Sequence, residues 1–294
     1  MSNQPDLAKA TDFIWRTARL LDRYRFSYHF LQGQDQAVLA ALRPYQNSDG
    51  GFGNGLEPDL RGPVSQPVPT WTALVILDEI NAVTDPMVQH ICDYLLTITT
   101  TEGGVPFMLP SAMAYPRAPW WEIGDQPPAS LNPTAAIAAL LYKYRVQHPW
   151  LERASAYCWQ QIAAIETTSP YEMRAVLPFL DFAPDRKRAE QAFAHVGKKI
   201  LEQKLVALDP AALREAETHS PLNFAPRPTS IARRLFTDSI INAHLDALAA
   251  AQQEDGGWPI NWFAWTPAAE LEWRACITID ALMTLRAYDR LTEK

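Results

Sequence analysis

The stretch Gln46-Asn47-Ser48-Asp49-Gly50-Gly51-Phe52 recurs about two hundred residues on as Gln252-Gln253-Glu254-Asp255-Gly256-Gly257-Trp258, and each copy closes an apolar run of helical period. Gln-x-x-Asp-Gly-Gly-aromatic reads as a helix-ending device. Glycine adopts positive φ without steric cost, so both glycines of each turn, Gly50 with Gly51 and Gly256 with Gly257, are expected to hold it. The Gln46 and Gln252 amides suit the orphan carbonyls of a helix end, and Phe52 or Trp258 covers the join. Because Asp49 and Asp255 recur with the turn, they are read as organising it rather than as catalytic groups.

A weaker copy lies between them, Thr99-Thr-Thr-Glu102-Gly103-Gly104-Val105, with Thr for Gln and Glu for Asp. Downstream of each copy an apolar helix is expected to open with Thr followed by small or aliphatic residues: Thr70-Trp-Thr-Ala73-Leu74, Thr134-Ala-Ala-Ile137-Ala138 and Thr278-Ile-Asp-Ala281-Leu282. The distance from second glycine to Thr is 19, 30 and 21 residues. Repetition on this scale means helix pairs laid side by side, each burying its face against the next.

Helix-period segments are expected at about 6–30, 35–46, 68–82, 86–100, 132–147, 149–166, 170–182, 185–204, 229–252 and 268–290, with almost nothing alternating like a strand. Prolines such as Pro67, Pro133, Pro149 and Pro170 stand where helices start, whereas Pro178 is expected to kink or break one. Runs such as Ala73 to Ile80 are apolar nearly all round and suit an inner ring; runs with a polar face, such as Arg188 to Leu205, suit an outer one. Three long loops, roughly 47–67, 103–131 and 205–228, are where a site is expected.

With 48% hydrophobic and 20% charged residues the 294-residue chain has ample core material and is read as one domain, 1–294. A net charge of −7 disfavours nucleic acid, because no Lys/Arg-rich face supplies counterion release. The three cysteines are scattered without Cys-x-x-Cys spacing, so neither a disulfide framework nor a thiol metal site is signalled. No apolar stretch approaches the eighteen or so residues of a membrane span, and no secretory signal is expected from the opening residues, which lack a basic segment followed by an apolar one. A soluble, cytoplasmic protein is expected. There is no phosphate loop, nucleophile elbow or His-Glu-x-x-His helix, and neither a cofactor nor a metal is expected.

The repeated turn and the Thr-x-x-Ala-Leu helix resemble the prenyltransferase and squalene-cyclase repeat superfamily, and Asp49-Gly50-Gly51-Phe52-Gly53 with Thr70-Trp-Thr-Ala73-Leu74 looks like a protein prenyltransferase β-subunit repeat. The resemblance covers three repeats between residues 36 and 288. It implies an all-α fold, an α/α toroid in which a double ring of antiparallel helices surrounds a central cavity. The catalytic residues of the family do not carry over. Protein prenyltransferases hold zinc with Asp-x-Cys and a His before a Thr helix; here Ile277 precedes Thr278, and Cys92-Asp93 reverses the order. The Asp-x-Asp-Asp acid of squalene-type cyclases is absent.

Candidate chemistry is therefore read from the residues. Glu57, Asp59 and Arg61, framed by Gly and Pro in 54–63, put two carboxylates and a guanidinium within five residues, either as acid, base and substrate clamp at a cavity mouth or as groups that only hold the loop. His219 in a Pro-rich loop suits a proton shuttle, and Arg227 an anion contact; both also fit a rigid connector. Asp280 interrupts an apolar helix near its expected first turn, as a proton donor facing a cavity or as a dipole-stabilised acid. Trp120, Trp121, Trp262 and Trp265 suit the walls of an isoprenoid or sugar site, or plugs between helix ends. The leading expectation is a small-molecule enzyme or binding protein that handles an apolar or prenyl ligand. Alternatives are a glycoside hydrolase or polysaccharide lyase on the same toroid, and a non-catalytic scaffold or partner subunit.

Overall fold

The structure is a computed structural model that describes residues 4–214 and 218–291. Among them the chain forms α1 (Leu7–Thr17), α2 (Leu20–Phe30), α3 (Asp35–Leu42), α4 (Pro67–Glu79), α5 (Met87–Ile98), α6 (Leu131–Lys143), α7 (Pro149–Ala163), α8 (Pro170–Phe182), α9 (Arg186–Glu202), α10 (Pro221–Phe224), α11 (Asp238–Ala250) and α12 (Pro267–Ala287). Extended pairing among the described residues is limited to isolated bridges, such as Gln46 with Phe52 and Leu60 with Arg117. The backbone divides into two compact units, Leu42–Lys199 and a second made of Met1–Ala41 with Ile200–Lys294.

In the unit Leu42–Lys199 the core is centred on α6, which packs on α4, α7 and α8. Its run Thr134 to Ala139 is buried on every side. Small side chains there let neighbouring helices approach closely, and Ile137, Leu141, Phe179 and Leu180 fill the space between. In the other unit α12 packs on α1, α2 and α11, burying Ile14, Leu21, Ile279, Leu282 and Leu285. Helix starts follow sequence chemistry: Pro67, Pro149, Pro170 and Pro267 occupy first turns, and Ser169, Thr237 and Thr266 cap with their hydroxyls.

Three expectations need correction. The run 6–30 is two helices, because Ala18 and Arg19 are extended, which lets the Arg19 side chain fold back onto the buried carboxylate of Asp22. The run 229–252 is a short 3-10 turn at Ile231–Leu235 and then α11, reset by the Thr237 cap. Pro178 does not break its helix: α8 runs through it from Pro170 to Phe182.

The repeated turn is built the same way three times. The amide of the aromatic or aliphatic residue donates to the helix threonine at 3.0 Å in each: Phe52 to Thr70, Val105 to Thr134, Trp258 to Thr278. Only the first glycine has positive φ, +91° at Gly50, +99° at Gly103 and +94° at Gly256; Gly51 and Gly257 do not, contrary to expectation. The second glycine is needed for space instead. A Cβ on Gly51, Gly104 or Gly257 would fall 2.7–2.8 Å from the ring of Tyr94, Tyr157 or Phe13. The first glycine meets the carbonyl four residues before that ring, of His90, Arg153 or Lys9. Three residues earlier again, Gln46 Nε2 donates to the Met87 carbonyl, Gln252 Nε2 to that of Asp6, and in the weak copy Trp150 Nε1 donates to Thr99. One register thus docks each turn on one neighbouring helix: α5, α7 and α1.

Candidate functional site

In the unit Leu42–Lys199, the residues between the first turn and α4 fold against the long loop before α6. Asn54 and Gly55 have φ of +56° and +74°, which reverses the chain and drives Leu56 fully inward. Glu57 and Asp59 follow, each only 5% exposed. Backbone bonds hold the segment: Leu60 N to the Glu57 carbonyl, Arg61 N to that of Pro116, and Ala118 N to that of Asp59 at 2.8 Å. On α4, Thr72 Oγ1 donates to Glu57 Oε2 at 3.5 Å. The structure therefore lays the backbone of Asp59 and Arg61 against Pro116 and Ala118, in the loop that also carries Trp120 and Trp121. Trp121 is buried with its ring 5.1 Å from Phe107, whereas Trp120 is half exposed.

Arg117 braces this loop. Its Nε donates to the Trp121 carbonyl at 2.8 Å, its Nη1 to those of Met113 and Tyr115, and its Nη2 lies 3.6 Å from Glu122. Gln66, fully buried just before α4, accepts from Leu109 N and donates to Ser111 Oγ. Sequence reasoning missed Gln66; its place before Pro67, with no apolar reason to be inside, was the available signal. At the far ends of α4 and α6, Asp78 accepts from Lys143 Nζ at 2.5 Å and from Tyr144 Oη at 2.6 Å.

The remaining candidates lie in the unit formed by the two chain ends. His219 is buried, its ring edge-on to Phe224, and its carbonyl accepts from Ala207 N. Asn261 Nδ2 donates to the Thr218 carbonyl at 2.9 Å, which ties the His219 segment to the loop carrying Trp262 and Trp265. Trp262 meets Trp273 of α12 edge-on at 5.4 Å. Arg227 is exposed. Asp280 is exposed on α12, and not near its first turn: Thr70 and Thr134 are the fourth residues of α4 and α6, but Thr278 is the twelfth of α12. The helix starts two turns earlier than the repeat implied, so a first-turn dipole has no hold on Asp280.

The most concentrated charge in this unit was also missed. Asp22 on α2 is fully buried; its carboxylate accepts from Arg19 Nε at 2.8 Å and Arg25 Nη1 at 2.9 Å, with Cys276 Sγ of α12 3.9 Å away. Burial alone would raise the Asp22 pKa, but the two guanidinium groups outweigh it and hold the carboxyl below its ordinary range. Burial and the Asp22 charge push the Cys276 thiol up to about 12, so it stays protonated. Asp22 is an ion-pair hub and not a proton donor. Among the described residues no group of three or more His, Cys, Asp or Glu is placed to hold a metal ion, and no helix is long and apolar enough to cross a membrane.

Neither a family model nor a curated protein matches the sequence. Solved structures do. A protein from Actinoplanes is 18% identical over 96% of this chain and 98% of its own, with a TM-score of 0.59. A variant of the type II terpene cyclase MstE from Scytonema, solved with its substrate geranylgeranyl dihydroxybenzoate, is 15% identical over 97% of each chain, with a TM-score of 0.50. The fold is all-α, of the α/α-toroid class. At these identities what is shared is the fold, and fold alone does not carry an activity.

Proposed function

We propose that the chain is a small-molecule enzyme or binding protein that takes an apolar, prenyl-type ligand, with Glu57 and Asp59 as its acid and base groups. The likeness of fold over 97% of both chains to a cyclase solved with a geranylgeranyl ligand motivates the choice of ligand class. The loop supports it on chemical grounds. Protonation of an alkene requires an acid shielded from competing water, and among the described residues Glu57 and Asp59 are the most buried acids of the candidate loops. Proton transfer to an alkene carbon leaves a carboxylate on the protein and a carbocation on the ligand. Aromatic faces stabilise such a cation, and Trp120 and Trp121, in the same unit as the two acids, are the rings assigned to this role. Arg61 serves as the clamp for a polar head group, while Asp280 and His219 are second-rank proton carriers and Arg227 a second-rank anion contact. No metal or cofactor enters this reading.

The test is incubation of the purified protein with geranylgeranyl-bearing phenols, followed by mass spectrometry of products and of ligand retained under native conditions. Glu57→Gln and Asp59→Asn should lower product formation by about 100-fold or more while the melting temperature stays within a few degrees of wild type. A wild-type protein that neither retains nor converts such compounds would sink the reading. Variants that lose fold and turnover together would reassign the two acids to holding the loop.

A further inference from the structure

The three turns differ in what answers the turn carboxylate. The residue four positions before each helix threonine bonds to the carbonyl of the residue that closes the turn: Gln66 N to Phe52, Ser130 N to Val105, and Arg274 Nε to Trp258. In the third copy the Arg274 guanidinium lies 4.6 Å from the centre of the Phe13 ring and bonds to both oxygens of Asp255 at 2.8 Å. In the first copy Ser65 Oγ donates to Asp49 at 2.7 Å. The middle copy has neither group. Ala129 stands in the position of Ser65 and Ser130 in that of Arg274, and among the described residues the Glu102 carboxylate accepts no hydrogen bond.

What the middle copy has instead is a cleft of about 410 Å³, lined by Ser130, Tyr157, Gln161, Glu166 and Glu172, with no lysine, arginine or histidine in its walls. Tyr157, which takes the place of Phe13 against the second glycine, is only 4% exposed, yet among the described residues its hydroxyl makes no hydrogen bond. A polar group so deeply set calls for a partner, and the cleft is the side from which one can come. The side chains of Ser130 and Gln161 are likewise unbonded among the described residues, and Thr168 occupies only one oxygen of Glu172. Burial first, then the charges of Cys158, Glu102 and Glu172, raise the Tyr157 pKa, so its phenol stays neutral and accepts as well as donates.

We propose that this cleft binds a small guanidinium compound, whose head group takes in the middle copy the place that the Arg274 side chain takes in the third. The third copy shows the cation the architecture fits: flat enough to stack on the ring, with donors fanned in its plane. Around Tyr157 those donors meet the free oxygen of Glu172, the Gln161 amide and the Ser130 hydroxyl, and the bond to Glu172 is charge-assisted. An anion would face acidic walls without a counter-charge. The cleft contains none of the residues assigned to the prenyl ligand and stands independently of that reading.

The experiment is calorimetric titration of the full chain with butylguanidinium, beside butylammonium, which lacks the planar fork, and butylurea, which lacks the charge. Wild type should bind one butylguanidinium at least tenfold more tightly than either control. Glu172→Gln should weaken binding about tenfold or more and Tyr157→Phe severalfold. Ser130→Arg places a tethered guanidinium at the cleft and should abolish binding with unchanged circular dichroism, because the Ser130 hydroxyl makes no cap bond to α6. Absence of saturable binding by wild type, equal affinity for butylammonium, or full binding by a folded Ser130→Arg would each overturn the proposal. If Ser130→Arg does not fold, Glu172→Gln decides, and unchanged affinity there overturns it.

Discussion

A Cβ built on Gly50 would stand 2.1 Å from the carbonyl oxygen of His90, and one on Gly256 the same distance from that of Lys9. At both positions φ is positive as well. Alanine there therefore meets backbone strain and a collision together, and Gly50→Ala or Gly256→Ala should each cost about 2–4 kcal/mol in chemical denaturation. Gly55 separates the two effects: its φ is +74°, but the nearest atom is the flexible end of Arg61 at 3.9 Å. Gly55→Ala should cost only about 1 kcal/mol. Equal losses at all three would show that φ, and not the helix carbonyl, sets the requirement. Thr278→Val, which strips the buried Trp258 amide of its acceptor, should cost about 1–3 kcal/mol. The repeated turn was legible because a device used three times repeats its residues. The division of labour between its glycines was not, since the ring that excludes a side chain at Gly257, Phe13, lies 244 positions away in sequence.

Helices were legible wherever an apolar stripe ended in a cap or an initial proline, and breaks were missed where a side chain interrupted the stripe for a tertiary reason. Arg19 is one such case: it reads as one more charge on a solvated face, yet it ends a helix in order to reach Asp22. The pair α2 and α12 is accordingly joined by an acid-sensitive contact. In the unfolded chain Asp22 takes its proton near 3.8, while in the folded protein it does so only at lower pH. Its folded pKa being depressed, its contribution is fully present above about pH 5 and drains as pH falls, because the unfolded state then binds more protons. Removing one member of a buried pair leaves the others uncompensated, so Asp22→Asn should cost about 3–5 kcal/mol at pH 7. Between pH 5 and 3 the variant should lose stability less steeply than wild type, as read from urea midpoints. Parallel slopes would mean that Asp22 does not titrate with folding. Among the candidate acids, Glu57 and Asp59 could be picked from the sequence because glycine and proline frame them, but their burial could not, since it depends on a loop sixty residues away at Pro116 to Ala118.

At the scale of the whole chain, the fold class was legible from the repeats and the near absence of alternating segments. The ligand was not, because the residues through which the resembling enzymes act are replaced. We carry the reading of one domain forward as a proposal with a thermal test: a single calorimetric transition whose calorimetric and van't Hoff enthalpies agree. Two separated peaks would sink it. The unit that holds α1 and α2 is finished only by residues after Ile200. The Gly256-Gly257 turn docks on Lys9 and Phe13, and Gln252 exchanges hydrogen bonds with Asp6 across 246 positions. On a ribosome adding about 5–20 residues per second, α1 and α2 wait on the order of ten to fifty seconds for the partners that cover them. Through that interval Phe13, Ile14 and the Asp22 cluster lack their neighbours from beyond Ile200, so α1 and α2 stay open to a chaperone until those residues emerge.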